Sequence, residues 1–199
     1  MKKILYFYSV ASPFAYLGNK RLIEISKKYL AEIIEKPVDL VGKVFAATGG
    51  VPLPQRHISR QNYRLQELKR WGEFLNIKIN QKPKFFPPKD PHTPALFCLA
   101  SIKMGIKMEF SIKLLEQLWA KENDISNLET LRIIAKELKI NFDDLNKLAM
   151  SDEIKKIYET NTQEAINMNI FGVPTYIYNN EMFWGQDRLE LLEYSLKKN

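Results

Sequence analysis

The sequence predicts an α/β protein. Segments of β type occur only near the two ends of the chain, and nearly everything between them repeats apolar residues at helical spacing. The opening order of strand, helix and strand also favours a parallel βαβ unit, because such a crossover has room for a helix.

Lys3 to Ser9, "KILYFYS", is rich in Ile, Leu, Tyr and Phe and reads as a buried strand. From Pro13 to Tyr29, apolar residues recur at Leu17, Leu22, Ile25 and Tyr29, a helical pattern. "KPVDLVG" from Lys36 is the second strand candidate, closed by Gly42. From Gln55 to about Met168 the pattern is helical, interrupted by the proline-rich "KPKFFPPKDPHTP". "SNLE", Ser126 to Glu129, reads as a capping box ahead of Leu131, Ile134, Ala135 and Leu138. The C-terminal "VPTYIYNNEMFWGQDRLELLEYSL" predicts strand, Asn179-Asn180 turn, strand, loop and amphipathic helix. With the helical block removed, the order is βαβ followed by αββα. That is the layout of a thioredoxin-like fold with a large all-helical insertion. Residues 1–45 and 165–199 are assigned to the thioredoxin-like part and 46–164 to the helical insertion domain.

Composition narrows the function classes. The chain is 45% hydrophobic and 27% charged, ordinary for a soluble globular protein. No apolar run reaches the about 18 residues of a membrane span. Thirty basic against 23 acidic residues leave a net charge of +7, but the lysines are scattered and mostly sit beside acids. A nucleic-acid footprint needs clustering on one face, so none is expected. The single cysteine, Cys98, lies among apolar residues in "PALFCLASIKM" and reads as a buried small hydrophobe; no intramolecular disulfide is possible. "MKKILYFYSVA" has the outline of a secretory leader, yet Tyr6, Tyr8 and Ser9 interrupt its apolar run. Cleavage after Ala11 would also sever the first strand from its helix, so a cytoplasmic location is expected. His57 and His92 stand alone without ligand spacing, and no metal is expected.

Three short motifs carry the chemistry. At the first strand-to-helix corner, many redox proteins place Cys-x-x-Cys; this chain has Ser12-Pro13-Phe14-Ala15. Serine before proline is a good helix start, and a plain N-cap is one reading. The other is that the helix N-terminus and the Ser12 hydroxyl stabilise a thiolate supplied by a bound small molecule. "FGVPTYIY" places Pro174 just before a strand, where Val173 can offer its backbone to an extended peptide-like ligand or Pro174 can be an ordinary edge-strand proline. In "FWGQDRLELL", Gln186 and Asp187 open the last helix; Asp187 can cap it or receive a ligand's ammonium group.

Together, "YFYSVASPFAYL", "RLQELKRWGEFL", "FGVPT" and "WGQDRLELLE" resemble the 2-hydroxychromene-2-carboxylate isomerases and the related kappa-class glutathione transferases, over nearly the whole chain. That family looks like a DsbA-type thioredoxin fold with serine in place of the active cysteine. The resemblance implies glutathione as cofactor and Ser12 as the catalytic residue activating its thiol. It implies that Val173 and Pro174, in cis linkage, hold the cysteinyl backbone. Trp184, Gly185, Gln186 and Asp187 would hold the γ-glutamyl end, and Phe14 is a further expected contact. The implied reaction is reversible thiolate addition to a ring-opened conjugated substrate, bond rotation and expulsion of the sulfur. Relatives are often homodimers. The sequence departs from the family after the second strand, where Ala46 and Gly50 in "GKVFAATGGVP" stand where Lys and Asn are common.

A small aromatic carboxylate is the expected substrate. Lys43 is near the departure and can substitute for the missing polar groups, and Phe45 with Phe14 can line an aromatic cleft. Arg56, Arg60 and Arg64 recur at i, i+4, a stripe suited to a carboxylate or else a solvated basic face. Tyr63 and Trp71 are pocket wall or core. Two rivals stay open: a kappa-like transferase that consumes glutathione, and a non-catalytic thioredoxin-fold binding module. Disulfide exchange is excluded, since neither Ser12 nor Ala15 can form a mixed disulfide.

Overall fold

The computed structural model describes residues 1–198. Strand β1 (Lys3–Tyr8) leads into helix α1 (Pro13–Lys28), which returns to β2 (Glu32–Pro37). β1 and β2 are parallel, from Lys3↔Glu32 to Tyr8↔Pro37. The C-terminal hairpin of β3 (Thr175–Tyr178) and β4 (Glu181–Trp184) completes a mixed sheet in the order β2-β1-β3-β4. Its turn residues Asn179 and Asn180 have φ of 49° and 62°, the double left-handed geometry of a tight hairpin, which asparagine tolerates. Helix α9 (Leu189–Lys198) closes the chain.

Two local expectations are corrected. The second strand begins at Glu32 rather than Lys36; Glu35 disguises it, being a carboxylate that is buried and hydrogen-bonded. "DLVG" is not strand but a π-helical turn, Leu40–Val44, capped by Asp39 Oδ1 accepting from the Gly42 N–H at 2.9 Å. The expected capping box at Ser126 does not form either. Asn127 caps the helix Leu128–Glu137, because Ser126 is already hydrogen-bonded to the backbone of Asp90 in the proline-rich loop.

Between β2 and β3 run α2 (Phe45–Thr48), α3 (Ile58–Leu75), α4 (His92–Lys103), α5 (Glu109–Trp119), α6 (Leu128–Glu137), α7 (Phe142–Ala149) and α8 (Asp152–Asn167). One core joins them to the sheet, from Ile4, Tyr6 and Tyr8 through Phe97, Phe110 and Trp119 to Leu131 and Ile134. A smaller cluster on the other sheet face gathers Phe7, Val38, Val44, Ala165, Ile170 and Ile177. Cys98 lies in the main core, where burial pushes its thiol far up and leaves it unreactive. Among the described residues no helix is long and apolar enough to cross a membrane.

Candidate functional site

The corner after β1 is built by a turn in which the Ser12 N–H donates to the Ser9 carbonyl at 3.0 Å. Ser12 is extended (φ −82°, ψ 117°) and only 7% exposed, and its Oγ accepts from the Ala15 N–H at 3.2 Å. That bond uses an oxygen lone pair and leaves the hydroxyl proton available to donate. The cap and the thiolate donor are therefore compatible roles of one side chain. Pro13 has no N–H, the Phe14 N–H belongs to the unpaired first turn, and no acidic residue sits in that turn to offset its positive end. Phe14 itself packs partly buried against the main core.

Strand register brings the other two motifs to the same place. Phe7 pairs with Thr175, and Thr175 pairs with Trp184. The residues just before Thr175 and just after Trp184 thus lie at the sheet end where β1 turns into Ser12. The Val173–Pro174 peptide is cis. Pro174 accepts from the Gly185 N–H at 2.8 Å, so the two loops are tied together. Trp184, half-exposed, meets the edge of Phe171 at 4.7 Å and covers Gly172. A Cβ on Gly172 would stand 2.5 Å from the indole nitrogen, which explains the glycine of "FGVPT".

Gly185 has φ +104°, and a Cβ there would collide with the Asp187 carboxylate. Asp187 is partly exposed and pairs with Arg188 at 2.9 Å. Gln186 is buried: its side-chain oxygen accepts from the Arg21 guanidinium, which also bonds the Gln186 carbonyl at 2.7 Å. Arg21 lies 5.4 Å from the centre of the Trp71 ring. Sequence reasoning missed Arg21. The available signal was its place between Leu17 and Ile25 at i, i+4 steps, a cation on the apolar stripe of α1.

The substrate residues separate into two groups. Phe45 is buried beneath Arg56, whose guanidinium carbon is 5.9 Å from the ring centre and whose Nε donates to the Val51 carbonyl at 2.7 Å. Gly50 touches the Phe45 ring so closely that no side chain fits there, a physical reason for the missing asparagine. Arg60 and Tyr63 are exposed on α3, and Ala46 is exposed on α2. Lys43 does not join Arg56. It lines a shallow hollow with Lys156, Glu159, Thr160 and Gln163 on α8, because the π-helical turn buries Val44 in the smaller core and carries Lys43 to that side. Trp71 packs partly buried against the main core, donates to Glu67 at 3.2 Å and lies under Arg21. The expected arginine stripe is corrected: His57 caps α3 and Arg56 lies before it in extended conformation, so only Arg60 and Arg64 are on the helix, and Arg64 is half-buried rather than solvated. The His92 ring lies 3.5 Å from the Tyr158 hydroxyl and its backbone N–H donates to Asp90 at 2.8 Å, and among the described residues no group of His, Cys, Asp and Glu is arranged to hold a metal ion.

These features define a thioredoxin-fold protein with serine at the thiol corner. A DSBA-like thioredoxin domain matches residues 3–197, and the chain belongs to that family. It is 29% identical over 191 residues to the 2-hydroxychromene-2-carboxylate isomerase of Pseudomonas sp. (strain C18), covering 94% of this chain and 87% of that protein. It is 27% identical over 197 residues to the enzyme of the same name from Pseudomonas putida, covering 96% and 92%. Among solved structures, a 2-hydroxychromene-2-carboxylate isomerase superposes with a TM-score of 0.81 at 22% identity, covering 98% of this chain and 95% of that one. The cytosolic disulfide reductase DsbM of Pseudomonas aeruginosa, solved with GSH, gives a TM-score of 0.70 at 12% identity over 98% and 99% of the chains.

Proposed function

We propose that the chain is a glutathione-dependent cis-trans isomerase of 2-hydroxychromene-2-carboxylate-like aromatic carboxylates. The observation that carries this reading is Ser12: a buried helix-capping serine whose proton stays free, facing the Val173–Pro174 and Trp184–Asp187 loops across one sheet end.

The residues fit glutathione. Ser12 and the first turn of α1 offer donors and no competing acid for a thiolate. Val173, one residue outside the β3 ladder, offers backbone groups to a peptide-like ligand, and Asp187 offers a carboxylate to its amino end. Bound glutathione would supply a thiolate nucleophile that adds to the conjugated substrate and leaves again after bond rotation. The work of the chain is to hold that sulfur ionised and orient the substrate beside it. Ser12 donates its hydrogen bond to the sulfur and keeps its own proton. Arg56 and Arg60 attract the substrate carboxylate, with the Phe45 ring beneath Arg56.

Thiol accounting tests the proposal. Incubated with glutathione and a ring-opened hydroxychromene carboxylate, the protein should generate trans product with the free-thiol concentration unchanged. Loss of thiol in step with product would make it a conjugating transferase. No turnover and no glutathione binding would leave a binding module.

A further inference from the structure

Helix α1 and the turn that precedes α9 meet at a residue with no side chain. A Cβ on Gly18 would stand 2.9 Å from Gln186 Cβ, 3.7 Å from Gln186 Cα and 3.0 Å from the Tyr176 hydroxyl oxygen. Ordinary carbon contacts lie at about 3.5–4.0 Å, so any side chain at this position forces a neighbour to move. Gly18 lies inside α1, where glycine is a poor helix former. The helix does not ask for glycine here; the close approach of the turn does.

The two neighbours differ in what they can yield. Tyr176 is fully buried, pairs with Tyr6 across the β1–β3 ladder and stacks on the Tyr6 ring at 5.4 Å. Gln186 belongs to no ladder. Its turn is held by Arg21, three residues after Gly18 on the same face of α1, whose guanidinium bonds both the carbonyl and the side-chain oxygen of Gln186. The contact would fall on Gln186 Cβ, one bond from the backbone, so a change of rotamer cannot relieve it. A side chain at position 18 therefore displaces the turn, and Asp187, the next residue, moves with it.

From this packing we infer that Gly18 is a positioning residue: the gap it leaves in α1 sets where the Gln186–Asp187 turn stands, and so where the Asp187 carboxylate meets the amino end of bound glutathione. Gly18 leaves the room and Arg21 holds the turn in it. The same helix is capped by Ser12, so one rigid element fixes both the sulfur end and the amino end of the ligand. The ligand half of the inference rests on the glutathione reading of the site; the structural half does not.

The test compares wild type with Gly18→Ala in two measurements. The first uses no ligand. In crystal structures of the free proteins, the Gln186–Asp187 backbone should be displaced in the variant by roughly 0.6 Å or more, with Tyr176 in place. The second is calorimetric titration with glutathione and with N-acetylcysteinylglycine, which keeps the thiol and the peptide but has no γ-glutamyl amino group. Gly18→Ala should bind glutathione roughly ten- to a hundredfold more weakly, the effect of losing a hydrogen bond to a charged group. Its binding of N-acetylcysteinylglycine, and the proton release per bound thiol, should match wild type. If Gly18→Ala does not fold, Gly18→Ala with Tyr176→Phe relieves the contact in the core and keeps the one with Gln186, and the same results are expected of it. An undisplaced turn, or equal weakening of both ligands, overturns the inference. Glutathione bound as tightly by the variant as by wild type overturns the positioning role and leaves the glutathione reading standing. A displaced turn in a protein whose wild type binds neither ligand upholds the structural half and sinks that reading.

Discussion

Ser12 caps α1, and the chemical role proposed for it at a ligand's sulfur can be separated from that cap by substitution. Ser12→Ala removes the cap to the Ala15 N–H, which lowers stability by about 1 kcal/mol. It also removes the donor for a thiolate, so glutathione should lose the proton release that accompanies its binding. Ser12→Asn is the control, keeping a good cap with a different donor geometry. Its thermal midpoint should stay near wild type while isomerase activity falls, as measured by denaturation and turnover side by side. Gly185 is the second residue with a sharp expectation. At φ +104° a side chain is strained, and a Cβ also meets Asp187. Gly185→Ala should weaken glutathione binding by displacing Asp187, and lower stability by about 1–2 kcal/mol. Unchanged affinity in calorimetry would show that Asp187 holds no part of the ligand.

At the scale of elements, α1 is fastened to the loop before α9 through Arg21. The Gln186 carbonyl and side-chain oxygen both accept from that one guanidinium, which is screened by Trp71. Arg21→Met leaves the buried Gln186 oxygens unpaired, a loss of about 1–3 kcal/mol, and should weaken glutathione binding without touching Ser12. A positioning role predicts weaker binding with proton release per bound glutathione retained; loss of proton release would point to a direct role at the sulfur. Arg21 also marks where the sequence was legible and where it was not. The strand-helix corner, the Asn179-Asn180 hairpin and the apolar helices are local features, written in turn residues and periodicity. Buried charges are not local. Glu35 hid the start of β2, Arg21 went unnoticed, Arg64 was open between a carboxylate site and a solvated face, and Lys43 looked adjacent to the site. Their partners come from segments far away in the chain, so only the assembled fold shows what each charge faces.

For the molecule as a whole, the helical insertion is pinned to the sheet by Glu35. Its carboxylate accepts from the Met108 N–H at 2.6 Å, the Ser111 hydroxyl at 2.8 Å and the Tyr8 hydroxyl at 3.3 Å. Burial raises its pKa despite those three bonds. A carboxyl raised on folding contributes stability that is full below the unfolded value of about 4.3 and is lost as pH rises through the folded value. Glu35→Gln should remove that part of the pH dependence. The difference in denaturant midpoint between variant and wild type should therefore move in favour of the variant as pH rises above about 4.3. A constant difference across the range would contradict the assignment. The central claim, however, is that a thiol-free corner activates a borrowed sulfur. Calorimetric titration of glutathione against S-methylglutathione tests it most directly. The account predicts tighter binding of the free thiol, with proton release near neutral pH; equal affinities without proton release, or no binding of either at millimolar concentration, would contradict it.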